Sequence, residues 1–162
     1  MATLSVLKFP TSDGAQQMQG TLLELQKQQL IQVQDAAIVT WPQGAKQPKT
    51  KQLHDMAGQG ALMGAFWGML FGLIFFVPFF GLAVGAAMGA MSGKFADYGI
   101  DDNFINSTRE KVTEGTSALF LLTSGAVVDK VVEATKGQTF EILSTNLPKD
   151  KEDELRAAFS AE

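Results

Sequence analysis

The chain has 162 residues, a net charge of −4, no cysteine and a single histidine. That length suits one ordinary domain, and the acidic balance excludes a phosphate-gripping surface and with it nucleic acid as a partner. Without thiols there is no disulfide framework, no cysteine nucleophile and no thiolate metal site.

The first ten residues lack a basic stretch followed by a long apolar run, so no cleavable leader is expected. Residues 3–9 read as a strand, and Pro10-Thr11-Ser12-Asp13 supplies a turn and a helix start. Met18, Leu22 and Leu25 fall on one face of a glutamine-rich helix that runs to about Gln29. Residues 31–41 have strand periodicity in their first half, and residues 42–50 read as a polar linker bearing proline and glycine.

No charged residue and no histidine occurs over residues 56–93. Within that stretch glycine recurs every fourth position, at Gly60, Gly64, Gly68 and Gly72, and again at Gly81, Gly85, Gly89 and Gly93. Val77 and Pro78 separate the two runs. Positions four apart share one helix face, so each run presents a stripe of bare backbone. Small residues at such spacing let helices approach closely in lipid. The pattern predicts a glycine-zipper helical hairpin with arms over roughly residues 56–76 and 79–96, turning at Val77-Pro78. A spanning helix needs about 20 apolar residues for a core of about 30 Å. The first arm meets that length and the second does so with a small tilt. The greasy tip, Phe75 to Phe80, allows a re-entrant turn as well as a crossing. Lys51 and Lys94 flank the open end, which places both soluble ends in the cytoplasm by the positive-inside rule.

After the hairpin, Asp101 and Asp102 begin an amphipathic helix that uses Phe104, Ile105, Thr108 and Val112 and ends at Gly115. Residues 117–123 contain an unbroken Ala-Leu-Phe-Leu-Leu run of central-strand type. Val127, Val128, Val131 and Val132 line a helix closed by Gly137, residues 139–145 alternate as a strand, and Pro148 opens a charged terminal helix with Leu155, Ala158 and Phe159 on its apolar side. The order is βαβ, hairpin, helix, βαβ, helix. Two βαβ units sharing one antiparallel sheet give an α+β class, a split ferredoxin-like sandwich interrupted by a transmembrane or re-entrant hairpin. The boundaries are 1–50 for the first half and linker, 51–98 for the hairpin, and 99–162 for the connecting helix, second half and terminal helix. Right-handed crossovers place both long helices on one sheet face and leave the other for dimerisation or for the terminal helix.

The run Asp97-Tyr-Gly-Ile-Asp-Asp-Asn-Phe-Ile105, followed by Gly115-Thr-Ser-Ala-Leu-Phe-Leu-Leu122, resembles the bacterial family catalogued as domain of unknown function 1269, over nearly the whole chain. The resemblance implies a small membrane-associated protein with a glycine-rich hairpin between two α/β halves. It implies no activity and carries no catalytic residue.

Candidate sites are sparse. Asp97, Asp101 and Asp102 cluster where the second arm ends, and His54 with Asp55 where the first begins. Helix capping and a water boundary account for them better than a metal or proton site does. Tyr98 suits an interfacial aromatic. The serines have no nearby base, and Gly81 to Gly89 lacks the Lys-Ser/Thr ending of a phosphate loop. No cofactor is expected. The resulting expectation is a non-enzymatic protein of the bacterial inner membrane, with membrane lipid and further copies of itself as partners. It would shape, seal or perforate the bilayer. The alternative is a membrane-anchored sensor whose α/β domain holds a small ligand of unspecified kind.

Overall fold

The computed structural model describes residues 2–56, 62, 64–76 and 93–159. β1 (Ala2–Phe9) is apolar on both sides: Leu4 and Val6 enter one core, Leu7 and Phe9 the other. β4 (Ser117–Ser124) does the same with Phe120 and Leu122 against Leu119 and Leu121. Strands of this kind need cover on both faces. They form the centre of an antiparallel five-stranded sheet with β2 (Asp35–Thr40), β3 (Lys49–Gln52) and β5 (Glu141–Leu147), in the order β3-β2-β4-β1-β5. Val6 sits opposite Phe120 on one side and Leu143 on the other.

β3 occupies the last two residues of the expected linker and the first two of the segment assigned to the hairpin. Its Lys-Thr-Lys-Gln sequence offers no apolar alternation, because an edge strand is held by backbone bonds and its lysines guard the open edge.

One face is covered by α1 (Gly14–Lys27), through Ala15, Met18 and Leu22, and by α4 (Gly125–Ala134), through Val127 and Val131. The opposite face is where the sequence reading is corrected. It is covered by the first arm of the supposed membrane hairpin. α2 (Gly64–Phe71) runs into a π-helical turn, Gly72–Phe76, and buries Phe66, Trp67, Leu70, Phe71, Leu73, Ile74 and Phe75. These side chains share a core with Leu4, Val6, Val39, Phe120 and Leu122. Phe71 meets the Phe120 ring edge-on at 5.0 Å between centroids, and Trp67 meets it at 6.3 Å. α3 (Asp102–Lys111) and α5 (Lys149–Phe159) complete this layer with Phe104, Ile105 and Leu155. Gly99 turns the chain toward α3 with φ +99°, and a Cβ there would lie 3.1 Å from the Asn146 carbonyl oxygen.

Among the described residues no helix is long and apolar enough to cross a membrane. Residues 64–76 rise only about 20 Å at about 1.5 Å each, against a bilayer core of about 30 Å. This overturns the transmembrane or re-entrant hairpin, the inner-membrane location, the reading in which the protein shapes, seals or perforates the bilayer, and the membrane anchor of the sensor reading. The physical reason is that a sheet with two apolar faces demands the same side chains as lipid does. Hydropathy reports that water is excluded, and protein can exclude it as well as a bilayer can. Of the second arm, residues 93–97 form a helical turn whose Phe95 is buried in the same core. Val77 and Pro78, and the rest of that arm through residue 92, lie outside the described residues.

Candidate functional site

The apolar layer is fastened at two points. At its start stands Asp35, the first residue of β2, fully buried. Its carboxylate accepts from the indole Nε1–H of Trp67 at 2.8 Å, from the backbone N–H of Leu62 at 2.9 Å, from Ala36 N–H at 2.9 Å and from the Gln52 amide at 3.1 Å. Gln52 also donates to the Leu62 carbonyl at 2.9 Å. A buried carboxylate is tolerable only when its oxygens are this well supplied with donors. At the far end Arg109 of α3 reaches across. Its Nε donates to the Ile74 carbonyl at 2.8 Å and its Nη2 to the Leu73 carbonyl at 2.5 Å. A cation on the carbonyl end of a helix is the sign the backbone dipole favours. An anion at one end and a cation at the other thus hold the segment to the sheet.

A separate recess lies at the end of the sheet where β2 begins and β4 ends. It is a groove of about 980 Å³, whose polar lining includes Gln26, Gln29, Gln34, Ser124, Lys130 and Arg156, with Leu30 at its rim. α1 ends beside it in a complete Schellman motif. Leu30 N–H donates to the Leu25 carbonyl at 3.0 Å, and Gln29 N–H to the Gln26 carbonyl at 3.0 Å. The left-handed position of that motif, usually glycine, is held by Gln29 at φ 61°, the one non-glycine at positive φ among the described residues. Gln26 Oε1 is buried there without a hydrogen-bond partner among the described residues. Arg156 is engaged: it donates to Glu152 at 3.2 Å and, through Nη2, to Gln34 Oε1. Lys130 is exposed and makes no ion pair with a described residue.

The family model for Protein of unknown function (DUF1269) matches residues 61–160. The chain belongs to the DUF1269 family. No curated protein and no solved structure matches it. In this DUF1269 protein the matched stretch starts at the docked apolar segment and includes Arg109, Lys130 and Arg156. It leaves Asp35 and the glutamine-rich α1 outside, so the match is shorter than the near-complete resemblance read from the sequence.

The residues singled out in the sequence do not converge on one site. Gly64 and Gly68 lie on the exposed side of α2. A Cβ at Gly64 would meet Gln52 Oε1 at 3.5 Å, and one at Gly68 would meet no described residue within 4 Å. Gly72 is buried in the π turn, and Gly93 is exposed, where a Cβ would meet no described residue within 4 Å. Gly60, Gly81, Gly85 and Gly89 lie outside the described residues. Lys51 is exposed on β3, His54 opens an exposed 3₁₀ turn, and Lys94 is exposed on the 93–97 turn. Asp97 accepts a bond from Lys151 Nζ on its backbone oxygen at 2.9 Å. Asp101 caps α3, its side chain accepting from Phe104 N–H at 3.0 Å, and Asp102 follows in the first turn. Tyr98 is not interfacial. It is buried edge-on against Phe95 and Phe159, and burial, then the carboxylates of Glu154 and Asp97, push its hydroxyl above the ordinary tyrosine range.

Sequence reasoning missed Asp35, Arg109 and the groove. Asp35 did leave a signal, an acid standing at the head of the apolar run Ala36-Ala-Ile-Val39. The groove left only a surplus of glutamines in a helix that reads as solvated.

Proposed function

We propose that this DUF1269 protein is a non-catalytic ligand-binding module, built as a split ferredoxin-like sandwich and using the groove at the α1–α4 end of its sheet. The single observation that carries the reading is that groove, a polar recess of about 980 Å³ beside a strained Gln29 and a Gln26 oxygen unmatched among the described residues. Its volume is at the upper end of what small-molecule sites occupy. The sandwich assignment is supported by the strand order: with the edge strand β3 set aside, β2-β4-β1-β5 is the order of two interleaved βαβ units.

A non-catalytic role is supported by how the reactive side chains are employed. Asp35 is consumed in fastening the apolar layer. Ser117 accepts from Ala15 N–H at 2.9 Å and donates to the Thr11 carbonyl at 2.7 Å, which joins the α1 start to β4. His54 is exposed at the start of its 3₁₀ turn.

The test is a screen of small polar fragments against the isotope-labelled full chain, read by backbone amide shifts. Shifts gathering on residues 26–34 and 124–130 support the reading. Fragments that leave those amides still, or gather elsewhere, overturn it.

A further inference from the structure

The groove's chemistry narrows what it takes. Arg156 brings a positive charge, but Glu152 is on it already and Gln34 shares its Nη2. Lys130 is therefore the one lining cation with no ion-pair partner among the described residues. A single uncompensated cation matches a single negative charge. A dianionic phosphate would carry one charge more than Lys130 neutralises, and a cation would face Lys130 directly. Around that charge stand the side-chain amides of Gln26, Gln29, Gln32 and Gln34, each with an acceptor oxygen and two donor hydrogens, the Gln34 oxygen being engaged by Arg156. Amides of this kind suit hydroxyl groups, which both give and take hydrogen bonds.

Two further observations point to an occupant. Gln26 lines the groove, and its Oε1 is buried without a donor among the described residues. Gln29 holds a left-handed conformation that glycine would adopt without strain, and such strain persists where the side chain serves something other than the fold.

We propose that the groove takes a small hydroxylated monocarboxylate. Lys130 meets the carboxylate, and the amides of Gln26 and Gln29 meet the hydroxyls. This rests on the ligand-binding reading above. For a ligand of about a dozen heavy atoms in an open recess, a Kd on the order of 1 mM is expected.

The test titrates the full chain with gluconate, an open-chain hydroxylated monocarboxylate, and with sorbitol, its neutral counterpart, following backbone amide shifts. Gluconate should move the amides of residues 26–34 and 124–130 and bind at least fivefold more tightly than sorbitol. Lys130→Gln, at an exposed position, should reduce gluconate to the sorbitol level and leave sorbitol unchanged. Gln29→Gly should raise the melting temperature while weakening gluconate severalfold. Gluconate binding no better than sorbitol, or equally well to Lys130→Gln, would overturn the proposal. So would a Gln29→Gly variant that binds like the parent. Neutral or cationic fragments settling in the groove while gluconate is passed over would overturn the ligand class alone. A groove untouched by every compound would overturn the binding reading beneath it.

Discussion

Replacing Asp35 tests how the apolar layer is held. In Asp35→Ala the carboxylate is gone, and the N–H groups of Leu62 and Ala36, the indole N–H of Trp67 and the Gln52 amide lose it as an acceptor. Gln52 keeps its bond to the Leu62 carbonyl, so three donors, the N–H groups of Leu62 and Ala36 and the Trp67 indole, lose their acceptor inside the protein. Each buried orphan costs about 1–3 kcal/mol, and the sum is about 4 kcal/mol. For a chain of this length that corresponds to a fall in Tm of about 8–16 °C. Asp35→Asn keeps one acceptor oxygen but turns an amide N–H toward other donors and loses the charge-assisted character of the bonds. A cost of about 2 kcal/mol follows. Trp67→Phe removes the indole donor together with its need for a partner. Part of the Asp35→Asn cost should therefore vanish in the double variant, with a coupling of about 1 kcal/mol. The assay is urea unfolding of the parent, the two single variants and the double variant, with the slope checked for constancy. An Asp35→Ala variant within about 0.5 kcal/mol of the parent, or Asp35→Asn and Trp67→Phe effects that simply add, would refute the reasoning.

Arg109→Met keeps the aliphatic stem and removes the two bonds to the Leu73 and Ile74 carbonyls, so urea unfolding should show a loss of about 2 kcal/mol, less than for Asp35→Ala because Arg109 is half exposed. Gly68→Ala should stabilise by up to about 1 kcal/mol, since the added methyl meets no described residue within 4 Å and only helix propensity changes; a loss of stability would show that a neighbour occupies that face. Tyr98 is the only tyrosine, and its neutral form is favoured in the fold, so its contribution is full below the ordinary value of 10.0 and is lost as pH rises through the raised folded value. Ultraviolet titration of the native chain should place its ionisation above that of the unfolded chain, and Tyr98→Phe should flatten the alkaline limb of the stability profile.

Much of this architecture was legible because the residues that specify it act locally. The unbroken Leu119-Phe-Leu-Leu122 run announced a strand with two buried faces, and Asp101 announced a cap three residues before Phe104. β3 was not legible, because Lys49-Thr-Lys-Gln52 pairs through backbone alone. The larger error concerned residues 56–76. Their glycine spacing and lack of charge were real, but those properties state only that the segment avoids water. What decides between lipid and protein is the other apolar surface, and it was already present in β1 and β4, whose second face needed a cover. Asp35 and Trp67 stand 32 positions apart, and neither residue alone signals the other. The groove depends on Gln26, Gln29, Lys130 and Arg156 meeting from three separate helices, a convergence no local pattern encodes.

The central claim, that residues 62–76 pack on the sheet and not in lipid, is tested most directly by proton–proton Overhauser contacts in the full chain. Cross-peaks between the Trp67 indole N–H and the Leu62 amide, and between the rings of Phe71 and Phe120, are the predicted result. Their absence, with contacts from these side chains to the acyl chains of added lipid or detergent in their place, would contradict it.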